Sequence, residues 1–246
     1  MNLLDWYNSL LANLGQCHTA AEKIEFLHGV RTTTVFEGQL VAGLARRTEA
    51  VTINDPLEKA AAYAQAADLL SSIDHRIATV LAAEARAFAK VVKASNENDP
   101  IARARLWSET AVEFDQTATL AKNPQLSETH LLCAGWGHLA RAFAAQALYQ
   151  SGGTADLSEL RVAAEDARHL FLEFGATKLV GLACSLIHYA SAMEAKAAFE
   201  QDGNDSARIE VIKHMRTAAE QITSDEYAAI RHSYLDYADM VEDAFA

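Results

Sequence analysis

An all-α fold, built as a superhelical stack of antiparallel helix pairs with about eleven helices, follows from three observations. Between Asn54 and Glu242 one unit recurs about four times: a long apolar-striped helix, a polar break and a second amphipathic helix. Asn54-Asp55-Pro56 returns as Asn98-Asp99-Pro100, and Leu44-Ala45-Arg46 is echoed around Arg86 and Arg141. Periods of roughly 40–50 residues made of helix pairs belong to α-solenoids, whose units cannot bury their apolar faces alone and therefore stack. The composition agrees, since much of the 50% hydrophobic content is Ala, and 11 Gly and 3 Pro are too few for a fold of many tight turns. Finally, the breaks are short and no Pro-, Gly- or Ser-rich linker interrupts the chain, which is read as a single domain over 1–246.

The elements follow in order. Leu3, Leu4, Trp6, Tyr7, Leu10, Leu11 and Leu14 recur at helical spacing and Gly15 stops them. Thr19 and Glu22 have the form of a capping box opening a second helix toward Gly29, completing an amino-terminal hairpin over 1–31. Four helix pairs fill 32–223. After Thr32-Thr33-Thr34 a helix runs to about Val51, and its partner opens at Asp55-Pro56, where the carboxylate caps and proline sacrifices no hydrogen bond. The second pair covers Asp74 to Ala94 and Asp99 to Lys122, ended by Asn123-Pro124. The third covers Ser127 to Gln150 and Asp156 to Phe174 across Ser151-Gly152-Gly153, with Glu159 in the box position after Asp156. The fourth covers Thr177 to Gln201 and Asp205 to Ile222 across Asp202-Gly203-Asn204. A helix from Asp225 to Phe245 caps the stack over 224–246 with an acidic outer face.

Charge removes two classes of partner. With 33 acidic against 21 basic residues the formal charge is −12, and no Lys or Arg cluster supplies the attractive field that nucleic acid or an anionic membrane requires. The amino terminus lacks the basic start and apolar run of a secretory signal. Leu179 to Met193, the longest uncharged stretch, falls short of the roughly 20 residues that span a bilayer. Cys17, Cys133 and Cys184 lie in helical stretches without paired spacing and read as reduced core residues, so a cytoplasmic protein is expected.

Few side chains have a spacing that suits catalysis. Glu25 and His28 have the Glu-x-x-His spacing of a ferritin-like ligand pair, weakly echoed by Asp166 and His169, but a dinuclear site needs two such motifs and two further Glu. Glu128, His130, Cys133 and His138 gather at one helix start without the close pairs of a zinc site. No glycine-rich phosphate loop or strained nucleophile turn is present. Neither metal nor cofactor is expected.

Two surface patterns suggest binding instead. Arg46, Arg86 and Arg141 fall at matching places in successive first helices, with Lys196 extending the row, and spaced guanidinium forks suit carboxylates or phosphates on an extended ligand. Glu49, Glu84 and Glu194 are near enough in sequence to neutralise the row, which would make it an ordinary solvated face. Tyr227, Tyr234 and Tyr237 form one stripe on the last helix: either a half-buried seam, or a contact surface for a partner helix or a second copy of the chain.

In this order of helix pairs, from about Thr33 to the carboxyl terminus, the chain resembles tetratricopeptide-like helical repeats. Small residues such as Ala111 with Ala118, and Ala163 with Ala167, sit where two helices would touch; the family's fixed pattern of Trp, Leu-Gly, Tyr, Ala, Phe and Pro is absent, and its period is shorter. The resemblance implies a right-handed superhelix and a non-catalytic adaptor or scaffold that holds a peptide or partner helix in its concave groove. The alternative is a helical-bundle metal-binding protein or enzyme using His and carboxylate ligands.

Overall fold

Several helix starts in this chain are written by their caps. Thr19 and Thr34 each accept from the amide three residues on, while Glu22 and Glu37 reach back to the cap backbone, giving two full capping boxes. Asp55 accepts from Glu58 N–H and Asp99 from Ala102 N–H, both at 2.8 Å, with Pro56 and Pro100 opening the helices behind them. Hydrogen bonding from Thr33 holds the Glu37 carboxyl below its usual range.

The structure, a computed structural model, describes residues 3–152, 156–203 and 205–244. Among them are eleven α-helices and no strand: α1 (Leu3–Leu14), α2 (Ala20–Gly29), α3 (Val35–Thr52), α4 (Pro56–Ser71), α5 (Arg76–Ser95), α6 (Pro100–Leu120), α7 (Ser127–Gln150), α8 (Leu157–Phe174), α9 (Thr177–Asp202), α10 (Asp205–Gln221) and α11 (Ala228–Asp243). The all-α expectation holds, and most helix ends fall within two residues of their predicted places. The expected breaks at Gly153 and Asn204 and the helix end at Phe245 lie outside the described residues, as do the side chains of Leu3 and Leu4. One element differs. The expected helix from Asp225 begins as a 3-10 turn over Asp225–Tyr227, because Tyr227 N–H bonds three residues back to Ser224 C=O and no side chain caps the start.

The chain divides into two compact units, Met1–Glu97 and Asn98–Ala246. The boundary falls between the two helices assigned from sequence to the second pair. In the first unit α2 packs on α3, α3 on α4 and α4 on α5. Leu40, Leu70 and Val80 are sealed in its interior, and Gly43 lets Leu70 approach so closely that a Cβ there would lie 2.6 Å from Leu70 Cγ. Tyr63 stacks on Phe88 with ring centroids 5.8 Å apart. A carboxylate is buried here as well: Glu84 of α5, 2% exposed, accepts from Arg47 of α3 at 2.8 Å.

In the second unit each helix from α6 to α11 packs on the next. Aromatic rings bridge the seams: Trp107 of α6 stacks on Phe143 of α7, and Phe114 of α6 on Trp136 of α7. Trp136 then meets Phe171 of α8 edge-on. Gly135 on α7 makes room for that Phe171 ring, which a Cβ would strike at 2.6 Å. These rings are partnered across helices rather than along one.

Candidate functional site

On one face of the second unit α7 is recessed between α6 and α8, leaving an open groove of about 640 Å³. Its floor is α7, which contributes His138, Arg141, Ala144, Ala145 and Leu148. These positions recur every three or four residues, as one helix face must. Ala111 and Val112 of α6 form one wall, and Val162 and Ala163 of α8 form the other. The small Ala side chains keep the cleft open, while Val112, Leu148 and Val162 remain 55%, 42% and 57% exposed along it.

Charges frame this apolar track. Arg141 binds the Asp115 carboxylate of α6, and His138 Nδ1 lies 3.4 Å from Asp166 Oδ2 of α8. Gly137 permits the first pair, because a Cβ there would lie 2.6 Å from Asp115 Oδ1. Glu159 adds a further carboxylate to the α8 wall. The surroundings have the same sign: the second unit holds 12 Lys and Arg against 22 Asp and Glu, a formal −10 of the chain's −12.

Of the predicted cationic row, Arg141 alone borders the groove. Arg46, in the first unit, donates to Glu49 at 2.9 Å and to Gln65 at 2.8 Å. Arg86, in the same unit, donates to Ser71 Oγ at 3.1 Å. Lys196 on α9 lies 3.6 Å from Glu200; burial works against its charge, but Tyr237 and Glu200 outweigh that and raise its pKa. Glu49 is a local partner as the sequence suggested, whereas Glu84 serves Arg47 and Glu194 serves Arg161.

The tyrosine stripe separates by depth. Tyr234 is 3% exposed, receives a bond from Gln146 Nε2 at 3.2 Å and lies 5.9 Å, ring to ring, from Tyr189. Burial pushes its pKa up to about 12, although Gln146 and Ser185 pull the other way. This side chain is internal and is withdrawn from the surface set, since the turn of α11 that points at α9 carries it inward. Tyr227 and Tyr237 are half-buried, and Tyr237 engages Lys196.

The metal ligands suggested by the sequence are scattered. His28 faces Glu49 at 3.4 Å rather than Glu25, and among the described residues no group of three or more His, Cys, Asp or Glu is placed to hold a metal ion. Cys17, Cys133 and Cys184 are free thiols, and burial raises the Cys184 pKa, which disfavours the reactive thiolate. No helix among the described residues is long and apolar enough to cross a membrane.

Comparison of the chain with protein-family models, with curated proteins and with solved structures finds no match. The sequence reading missed the groove because its floor and two walls come from three helices, and their mutual rotation is set by cross-helix packing that one helix's periodicity does not encode. The exposed Val112 and Val162, each an apolar residue on the polar side of its helix, were the available signal.

Proposed function

We propose that the chain is a non-catalytic protein-binding scaffold of the tetratricopeptide-like, helical-repeat kind, and that the groove over α7 holds one amphipathic helix of a partner protein. The observation that carries this reading is the exposed line Val112, Leu148 and Val162 above a floor of alanines, between two helical walls. A helix laid in such a cleft inserts apolar side chains at i, i+3 or i+4, and i+7. Charge selects among helices. Glu159 and Asp166 line the groove, Asp115 neutralises Arg141 at its edge, and the unit is strongly acidic, so the favoured helix bears Lys or Arg beside its apolar stripe. Packing supports a passive role as well: the walls are held by stacked aromatic rings, a rigid frame suited to presenting a surface.

A selection from a displayed library of helical peptides against the whole protein tests the proposal. Enriched peptides should carry apolar residues at helical spacing flanked by basic ones, and should bind less tightly as salt rises. Val162→Asp should abolish that binding while the circular dichroism spectrum stays helical. Peptides without the apolar spacing, or binding that survives both Val162→Asp and Leu148→Asp, would remove the groove from consideration.

A further inference from the structure

Across the seam between α9 and α10, two histidines face each other. His188 Nδ1 and His214 Nδ1 are 3.5 Å apart, while the ring centroids are 5.7 Å apart and the ring planes differ by 29°. The nitrogens are closer than the centroids, so the two Nδ1 atoms face each other across one gap, within reach of a ring-to-ring hydrogen bond whose proton a metal ion would replace. Two bonds of about 2.0–2.1 Å from imidazole nitrogens to a tetrahedral zinc ion place those nitrogens roughly 3.3–3.4 Å apart. The observed separation is within the adjustment of a side-chain torsion.

The surroundings prepare the pair as ligands. Glu210, one turn before His214, lies 3.6 Å from His214 Nε2. Lys213 also holds this carboxylate, at 3.0 Å. Ligation through both Nδ1 atoms needs each ring in its Nε2–H tautomer, and on His214 that proton faces the Glu210 side. Arg161 faces the seam from α8, but its guanidinium is held by Glu194 of α9 at 2.5 Å. Both rings are half-buried, so water reaches the open side of the gap.

We propose that His188 and His214 form a two-ligand site for a divalent transition-metal ion of the imidazole-preferring kind, Zn²⁺ or Cu²⁺, with water completing the coordination. Imidazole suits these ions and discriminates against Mg²⁺ and Ca²⁺, which take oxygen. Burial, with His214 and Arg161, holds the His188 pKa below its ordinary value. A bound ion would clamp α9 to α10, away from the α7 groove.

The test uses the full chain, stripped with a chelator and titrated with Cu²⁺ and Zn²⁺. One equivalent should bind; the Cu²⁺ paramagnetic resonance spectrum should show coupling to two nitrogens. In a nitrogen-detected spectrum of the imidazoles, Zn²⁺ should shift the Nδ1 signals of His188 and His214 ahead of other histidines. His188→Asn and His214→Asn should each lose this equivalent, whereas His28→Asn/His138→Asn should retain it. Absence of saturable binding, first shifts on other rings, or an equivalent that persists in both single variants would overturn the proposal; the wild-type spectra decide it even if a variant fails to fold.

Discussion

Glu84 of α5 is held by Arg47 of α3 at 2.8 Å, and these two residues tie together helices that flank α4 in the first unit. Burial raises the Glu84 pKa and the Arg47 charge opposes that rise. Arg47→Ala should leave a carboxyl group unpaired in the interior and cost on the order of 3 kcal/mol. Arg47→Met/Glu84→Leu should recover most of the loss, because an apolar pair of similar volume avoids desolvation. Urea unfolding midpoints check both, and an Arg47→Ala midpoint equal to wild type would show that water reaches Glu84.

Helix initiation gives a second prediction. Asp55 and Asp99 each satisfy an amide three residues on, so Asp55→Ala and Asp99→Ala should each lower stability by about 1 kcal/mol. Thermal unfolding of the two single variants measures this. Because the sites are in different units, the losses should add in the double variant.

Tyr234 supplies a third. Tyr234→Phe removes the acceptor for Gln146 and should cost about 1–2 kcal/mol through the stranded amide. Tyr234→Asp should lower the melting temperature equally at all protein concentrations, as an internal residue requires. A concentration-dependent loss would instead place the side chain at an interface between copies.

Acidity should weaken the α9–α10 seam. His188 has its pKa held below the ordinary 6.5, first by burial and then by His214 and Arg161. The folded chain therefore resists a proton that the unfolded chain accepts, and stability is complete above that value and declines as pH falls below it. Glu194, Glu210 and Lys213, which holds the Glu210 carboxylate, are also charged groups at the seam. His188→Asn should reduce the slope of unfolding free energy against pH in this window, and an unchanged slope would assign the titration elsewhere.

Arg141 separates two kinds of partner. If a basic helix is held by Asp115, Glu159 and Asp166, Arg141→Glu should leave binding unchanged or a few-fold tighter, as expected for exposed charges. A partner carboxylate seated on Arg141 would be released by the same change. Arg86→Glu, in the other unit, should alter neither outcome. Isothermal titration of selected peptides with both variants distinguishes these cases.

Much of the helical layout was legible because caps and breakers act within three or four residues. Asp99-Pro100 starts α6 and Gly175, with φ +82°, ends α8 by local chemistry alone. Cross-helix partnership was not legible. Arg47 and Arg46 are neighbours in sequence, yet helix rotation sends one to Glu84 and the other to Glu49. His188 and His214 belong to different helices, and no spacing rule connects them. The same limit applies to the tyrosines, where a one-turn difference decides between the interior and the surface.

The bond from Gln146 to Tyr234 joins residues 88 positions apart in a unit assembled mainly from helices packed on their chain neighbours. Neighbour packing closes short loops and forms early, whereas a contact spanning so much chain carries the larger closure entropy. The Gln146–Tyr234 bond should therefore form after α11 has packed on its neighbour α10. Until that bond forms the Gln146 amide lacks its Tyr234 partner, and during synthesis the partner is absent until α11 has left the ribosome.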